Sequence, residues 1–344
     1  MVNMQAASKK EAKKVCLVTG PTSGLGLELI RQLLSKGYEV RVIIREHPSS
    51  GTSWKELPPN VKPYKADIRL PTESDRNQLI DACAGVDVLF HIAGTSYNHK
   101  NKYDEIISIN VMGTENVIDA YVKANRGRKI HIVLASSVTV YGYRRKGETL
   151  DEYSELKPGS KYSQSKVLAE EVVRSFASVN KELTYSIMRF GVLYGGKYKG
   201  AFFKVFRILK SGKMVYIGDG ENYLTLTNVE DAARAMVLVS KSTTSDVYNV
   251  VEKSVTLKKL LEYASKELKA DAPKVKVPYL VGLMTRRIVN INIDEFEFVT
   301  SNRVVSSKKI EKELGFKFSH DILEDGKLMI REFLEKERKD GKVL

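Results

Sequence analysis

Tyr162 and Lys166 stand four residues apart in Lys161-Tyr162-Ser163-Gln164-Ser165-Lys166. Four residues make about one helical turn, so both side chains share a helix face. An ammonium beside a phenol favours the phenolate, which lets a tyrosine pass a proton near neutral pH instead of near pH 10. Such a pair occurs often by chance and gains meaning from company. The company is Thr19-Gly20-Pro21-Thr22-Ser23-Gly24-Leu25-Gly26. Gly20, Gly24 and Gly26 permit a tight turn, the approach of a diphosphate and close packing of the helix that follows. The start of that helix, with Thr22, Ser23 and Leu25 on the turn, offers amide hydrogens to phosphate oxygens. A proton-passing phenol and a dinucleotide-binding turn in one chain are the two halves of a hydride-transfer site.

The elements that must position these groups are legible as patterns. The apolar run Val15 to Val18 precedes the glycine turn. Leu27, Ile30, Leu33 and Leu34 follow at helical spacing up to Gly37, and Val40 to Ile44 is a second apolar run. Strand, turn, helix, strand is one βαβ unit. Asp87 to Ile92, Ile130 to Leu134 and Tyr185 to Arg189 repeat the strand pattern, with helical stretches such as Glu115 to Ala124 and Ser165 to Phe176 between them. The alternation predicts an α/β fold with a doubly wound parallel sheet. Beyond Phe190 the rhythm loosens. Gly191, Gly195, Gly196 and Gly200 crowd a loop, Phe202 to Leu209 is helix-like, and Val247 to Val251 reads as a strand returning to the sheet. From Thr256 onward the pattern is helical, with a turn at Gly315. The expected organisation is a disordered basic tail over 1–14, a dinucleotide-binding domain over 15–190 plus 226–251, and a smaller, discontinuous substrate lobe over 191–225 plus 252–344.

The 344 residues, 42% of them hydrophobic, suffice for a large core. No apolar run approaches the length of a membrane span; the nearest, Val277 to Val289, contains Arg286 and Arg287 and reads as a lid or surface helix. The formal net charge of +14 comes from lysines spread among acids, with the densest cluster at Lys9, Lys10, Lys13 and Lys14. No basic stretch interleaved with aromatics suggests a nucleic-acid platform, so a lysine-rich solvated surface is expected. Cys16 and Cys83 lack metal-like spacing and read as buried thiols of a cytoplasmic protein. The tail has neither a signal-peptide core nor the composition of a transit peptide.

The residue closing the second strand selects between NAD and NADP, because an acid grips the ribose hydroxyls whereas an arginine accommodates the extra phosphate. Here Arg45 follows Ile43 and Ile44, 19 residues after Gly26. It favours NADP; the adjacent Glu46 could instead serve NAD.

With these pieces placed, the chain resembles the extended short-chain dehydrogenase/reductase family, also called the NAD-dependent epimerase/dehydratase family, over about residues 15 to 335. The resemblance rests on the order and spacing of several motifs. They are the Thr19–Gly26 turn, Asp67-Ile68, His91-Ile92-Ala93-Gly94, Asn110-Val111-Met112-Gly113-Thr114, Ser136-Ser137-Val138-Thr139-Val140-Tyr141-Gly142, Tyr162 with Lys166, Arg189 to Gly195, and Gly218-Asp219-Gly220 before Val229-Glu230-Asp231. It implies that Asp67 and Ile68 contact the adenine and that Ala93 and Gly94 line the adenosine ribose. It implies further that Ser137 binds the substrate oxygen, Tyr162 is the acid/base and Lys166 holds the nicotinamide ribose. Asn110 would act in a proton relay or shape its helix. Phe190 and Val192, beyond Arg189, join the cofactor-lining positions. A homodimer is implied through the helix carrying Tyr162 and its predecessor, for which Val167, Leu168, Val172 and Val173 supply an apolar face that burial within one chain explains equally well.

Three departures bear on the substrate. Three residues separate Gly20 from Gly24, the spacing of the single-domain branch. Phe190 stands where many members have proline. Val192 and Leu224 stand where sugar-nucleotide enzymes place an asparagine and an arginine on the substrate's diphosphate, and an apolar side chain cannot make that charge-assisted contact. Against this, Lys197, Lys199, Lys204, Arg207 and Lys210 are spare cations that could hold phosphates. Val138 and Thr139 occupy the place of the Asp-Glu pair of 4,6-dehydratases, which disfavours dehydration. The expected activity is an NAD(P)-dependent interconversion of a ketone and an alcohol on a small or apolar substrate, with NADP preferred and no metal. The alternatives are a nucleotide-sugar epimerase and a catalytically quiet NAD(P)-binding sensor or assembly factor.

Overall fold

The computed structural model describes residues 13–45, 56–69, 71–96, 103–142, 148–286, 296 and 299–340. The Lys9 and Lys10 part of the basic tail, Glu46, and residues 287–289 of the apolar run lie outside them.

Seven strands form the central sheet: β1 (Val15–Thr19), β2 (Glu39–Ile44), β3 (Lys62–Lys65), β4 (Val88–His91), β5 (Ile130–Ser137), β6 (Leu183–Phe190) and β7 (Asp246–Val250). Their spatial order is β3-β2-β1-β4-β5-β6-β7, and every pairing is parallel. The expected doubly wound sheet is present. Val88 to His91 is buried throughout, as a parallel strand covered on both faces must be. β3 had no strand signature, since Lys62-Pro63-Tyr64-Lys65 is polar and contains proline. It survives as an edge strand because an edge residue needs no donor on its outer side.

Helices cover both faces. α1 (Gly24–Ser35) is capped by Ser23 and buries Leu25, Leu29, Ile30 and Leu33. α2 (Glu73–Cys83) and α3 (Gly113–Ala124) follow β3 and β4; a π-helical turn, Ser108–Met112, runs directly into α3. α4 (Lys161–Val179) opens with a capping box between Ser160 and Ser163. Two apolar clusters lie on opposite faces of the sheet, one around Leu29, Val42, Phe90 and Met236, the other around Leu17, Leu89, Tyr121 and Ile132. Each such buried leucine or isoleucine stabilises the fold by about 2 kcal/mol. Cys16 and Cys83 are buried thiols, as expected, and burial pushes both up to about 12.

A third cluster fills the remaining lobe. It joins α5 (Lys199–Lys210), α6 (Val229–Val239) being on the sheet side, to α7 (Leu257–Leu268) and, past α8 (Tyr279–Thr285) and α9 (Lys308–Leu314), to α10 (Ile322–Lys339). Phe206 and Phe333 meet there edge to face, 5.8 Å between centroids. The helix expected within the apolar run is α8. Among the described residues no helix is long and apolar enough to cross a membrane.

Candidate active site

The strand order reverses between β1 and β4. Doubly wound sheets bind ligands beyond the carboxyl ends of the strands at such a reversal. The glycine turn leaves β1 and Ile92-Ala93-Gly94 leaves β4, side by side. Gly20 has φ of +68°, and a Cβ on it would stand 2.8 Å from the Ala93 amide nitrogen, so only glycine fits. Behind the turn, Thr19 Oγ1 accepts from the amides of Ile92 and Ala93, both at 3.2 Å, and meets His91 Nδ1 at 2.9 Å. His91 Nε2 meets Thr114 Oγ1 at 3.0 Å, and that hydroxyl donates to Asn110 O at 2.7 Å. The set is satisfied with the imidazole proton on Nε2, a tautomer read from the bonding pattern. Burial, with the charge of Lys166 a lesser cause, pushes His91 down to about 3, so it is a neutral spacer between the two loops.

The first amides of α1 are less open than the sequence suggests. Gly26 N donates to its own cap, Ser23 Oγ, at 3.0 Å, and Leu25 N donates to the Tyr198 hydroxyl at 3.3 Å. The Tyr198 ring lies over Gly24, where a Cβ would be 2.6 Å from its Cε2. A diphosphate reaching this turn therefore meets Tyr198, a residue the sequence did not single out. Thr22 and Ser23 are half-buried at the same turn.

Lys166 and Asn110 meet at Gly94, and Lys166 reaches β5. A Cβ at Gly94 would lie 3.1 Å from Lys166 Nζ and 3.3 Å from Asn110 Oδ1. Lys166 is buried, and its ammonium donates to Ala135 O on β5 at 2.9 Å. It thereby ties the helix that begins at Tyr162 to the strand that ends at Ser137. The ammonium also lies 5.9 Å from the Tyr162 ring centroid. Burial lowers Lys166 to about 8, against the opposing pull of Glu170. Ser137 caps the short helix Val138–Tyr141: its Oγ accepts from Thr139 N at 3.2 Å and from Thr139 Oγ1 at 3.0 Å. With both lone pairs engaged, the serine's own hydrogen is the one left to donate to a ligand. Asn110 does not cap α3, whose cap residue is Met112. Its side chain accepts from Thr95 N at 2.7 Å and donates to Thr95 O at 2.9 Å and Ser165 Oγ at 2.8 Å. These bonds hold the β4 loop against α4.

A buried ion pair sets the position of α4. Arg189 donates to both oxygens of Glu170, at 3.0 and 2.7 Å, and Ser136 Oγ donates to Glu170 at 2.6 Å. Burial opposes ionisation of Glu170, but Arg189, Ser136 and Arg174 together hold its carboxyl below the ordinary range. Arg189 Nη1 continues to the Tyr141 hydroxyl at 2.9 Å. Glu170 lies one turn beyond Lys166, so the pair fixes the rotation of the helix face that carries Lys166. The i, i+4 spacing of Lys166 and Glu170 was the signal available in the sequence.

The remaining expected cofactor positions lie at or just beyond the ends of β2, β3 and β6. Arg45 is half-buried at the end of β2. Asp67 is ion-paired with Arg69, whose Nε lies 2.9 Å from both carboxylate oxygens; Arg69 holds the Asp67 carboxyl below its ordinary range, with Arg45 a smaller contributor. Arg45 and Arg69 thus bring two cations to one sheet corner. Ile68 is buried against Gly113, and its carbonyl accepts from Asn116 Nδ2 at 2.8 Å. Phe190 is buried in the main core, so its side chain cannot touch a cofactor and only its backbone can. The reason is strand alternation at the end of β6. Val192 is half-buried in the short strand Val192–Tyr194, which pairs with Leu226–Asn228.

Three of the five spare cations have acidic partners. Lys197 pairs with Glu56, Lys199 with Glu332 at 2.7 Å, and Arg207 with Glu337 at 2.7 Å. The basic face of α5 packs on acids of α10, which sequence distance concealed. Leu224, at the position where an arginine would bind a diphosphate, is buried in the lobe core beside Leu226 and Val255.

The model of the NAD dependent epimerase/dehydratase family matches residues 16–251. N-acetyl-α-D-glucosaminyl-diphospho-ditrans,octacis-undecaprenol 4-epimerase of Escherichia coli O157:H7 is 28% identical over 61% of this chain, and the match spans 63% of that relative's length. The human sterol-4-α-carboxylate 3-dehydrogenase, decarboxylating, is 25% identical over 81% of this chain and 73% of its own. In fold, the chain matches the UDP-glucose 4-epimerase of Thermotoga maritima with a TM-score of 0.74 at 20% identity, covering 94% of this chain and 99% of that one.

Proposed function

This chain belongs to the NAD-dependent epimerase/dehydratase family, and from that premise we propose that it interconverts a ketone and an alcohol on an apolar substrate, with NADP preferred over NAD. The observation that carries the reading is the Lys166 ammonium on Ala135 O, which joins the Tyr162 helix to the Ser137 strand. The glycine turn, Ala93 and Gly94 come together at the carboxyl ends of β1 and β4, where a dinucleotide would rest. Arg45 and Arg69 would take its extra phosphate and Lys166 its second ribose. When bound, the nicotinamide supplies or accepts the hydride. The chain's own part is proton transfer and charge stabilisation. Ser137 donates its remaining hydrogen to the substrate oxygen, where charge develops. Tyr162 gives that oxygen its proton in reduction and takes it back in oxidation. Thr139 orients Ser137, and Asn110 holds the floor of the site.

An apolar substrate is supported by the burial of Leu224 and by the pairing of Lys197, Lys199 and Arg207, three of the five cations considered for phosphates, which leaves Lys204 and Lys210 for that role. The human relative is named for a sterol carboxylate and the E. coli relative for a sugar joined through a diphosphate to undecaprenol, both with large apolar parts. A nucleotide-sugar epimerase is the second reading; the E. coli relative's name supports 4-epimerisation, there of a lipid-linked sugar. A homodimer through α4 is consistent with Leu168, which is exposed on that helix. The deciding experiment is to purify the chain, identify any dinucleotide it carries, and assay NADPH consumption against apolar ketones. Exchangeable NADP with turnover supports the reading. Tightly held, non-exchanging NAD with thermal stabilisation by sugar nucleotides would replace it with the epimerase.

A further inference from the structure

Helix α8 turns its small residue inward and its large apolar residues outward. A Cβ on Gly282 would stand 2.9 Å from Ile217 and 3.4 Å from Phe296, so the glycine is the packing face. Leu280, Val281 and Met284 are 70%, 47% and 81% exposed, and Tyr279 is exposed beside them. The patch continues onto the adjoining pair of short parallel strands, Tyr216–Ile217 with Lys276–Val277. There Tyr216 N donates to Val275 O at 2.9 Å, which sets the exposed Val215 and Val275 close together. Single exposed apolar side chains are ordinary, but a cluster of this kind marks an interaction surface.

The charges around the patch narrow its partner. Lys213, Lys274 and Lys276 are exposed on the same segments and Arg286 ends α8, against Asp219 and Asp271, the latter 3.9 Å from Lys274. The whole chain carries +14. A second copy docking here would set lysines against lysines, and like charges facing each other cost affinity. A bilayer with anionic headgroups suits both features. Large apolar side chains enter the boundary between headgroup and acyl chain, and lysines meet the negative surface. We propose that α8 and the edge of the adjoining strand pair are a docking surface for an anionic membrane, on which the protein lies without spanning it.

The inference stands apart from the reading of the active site, because vesicle binding is measured without turnover. The full-length chain is sedimented with vesicles of phosphatidylcholine, alone or with phosphatidylglycerol. Wild type is expected to sediment with the phosphatidylglycerol vesicles and poorly with the others. Leu280→Asn with Met284→Asn should weaken that binding roughly tenfold by removing the apolar contact, with an unchanged unfolding transition, since both residues are exposed. Lys274→Gln with Lys276→Gln should abolish the preference for phosphatidylglycerol. Failure of wild type to sediment overturns the proposal. So does wild-type binding by the Leu280/Met284 variant, which would place the contact elsewhere, as on the N-terminal lysines. Conversion of a dimer to a monomer by that variant would instead assign the patch to a second copy.

Discussion

Tyr198 lies across Gly24 with its hydroxyl on the Leu25 amide at 3.3 Å, covering the turn where we place a dinucleotide's diphosphate. Ring and glycine are complementary, since a Cβ at Gly24 would meet Cε2 at 2.6 Å. Gly24→Ala is therefore expected to destabilise the fold by about 1–3 kcal/mol. Tyr198→Ala in the same chain should recover part of that loss, a non-additivity that a double-mutant cycle by urea unfolding measures. Tyr198→Phe frees the Leu25 amide and should tighten dinucleotide binding roughly fivefold, the worth of one hydrogen bond. Weaker binding by the Phe variant in titration calorimetry would show that the hydroxyl serves the bound phosphates.

Tyr162→Phe removes the transferable proton and keeps the ring. Turnover should fall by about 10²–10⁴, while dinucleotide affinity, measured by fluorescence titration, stays near that of wild type. Turnover close to wild type would remove Tyr162 from the chemistry.

Lys166 titrates near 8 in the fold against 10.5 ordinarily, because it is buried. Its folded-state pKa is depressed, so the folded protein binds fewer protons across that window. Wild-type stability should rise as pH goes from 8 to 10.5, by about 1.4 kcal/mol per pH unit. Below pH 8 the buried charge is an undiminished cost. Lys166→Met should consequently be more stable than wild type at pH 7 and lose that advantage by pH 10.5, although inactive throughout. Urea midpoints at the two pH values decide this, and a less stable variant at pH 7 contradicts it.

Glu252 shows the opposite sign. Burial raises its carboxyl to about 8, with Asp321, Asp325 and Asp231 adding to the effect while the Tyr194 hydroxyl, donating at 2.9 Å, opposes it. A raised carboxyl contributes stability below its ordinary pKa of 4.5 and loses it as pH climbs to 8. Glu252→Gln should flatten that decline and outlast wild type at pH 8 in thermal unfolding. An unaltered slope between pH 5 and 8 would assign the decline to other groups.

Arg45→Asp should shift preference from NADP toward NAD by roughly tenfold to a hundredfold, the range of one charge-assisted hydrogen bond. Arg69→Ala should have a smaller effect, since Asp67 already engages Arg69. Ratios of kcat/KM for the two cofactors measure both; an unchanged ratio in the Arg45 variant removes it as selector.

Where the pattern is local, the chain was readable. Val15 to Thr19, the glycine turn and the α1 stripe each state their structure within a dozen residues, and the order of such units specifies the doubly wound sheet. β3 was missed because an edge strand can be polar and carry proline. That the Phe190 side chain faces the core was not legible, because the side of a strand that faces the core depends on what covers it.

By itself the amino-acid order determined the βαβ rhythm, the glycine turn and the one-turn spacing of Tyr162 and Lys166, because periodicity and backbone freedom act between near neighbours. Only the tertiary structure decided that Arg189 clamps Glu170, that Tyr198 covers a turn 173 residues earlier in the chain, and that Lys199 and Arg207 are claimed by acids on α10. Those partners lie far apart along the chain, and charge or size at one position carries no record of which distant group will face it until the core has packed.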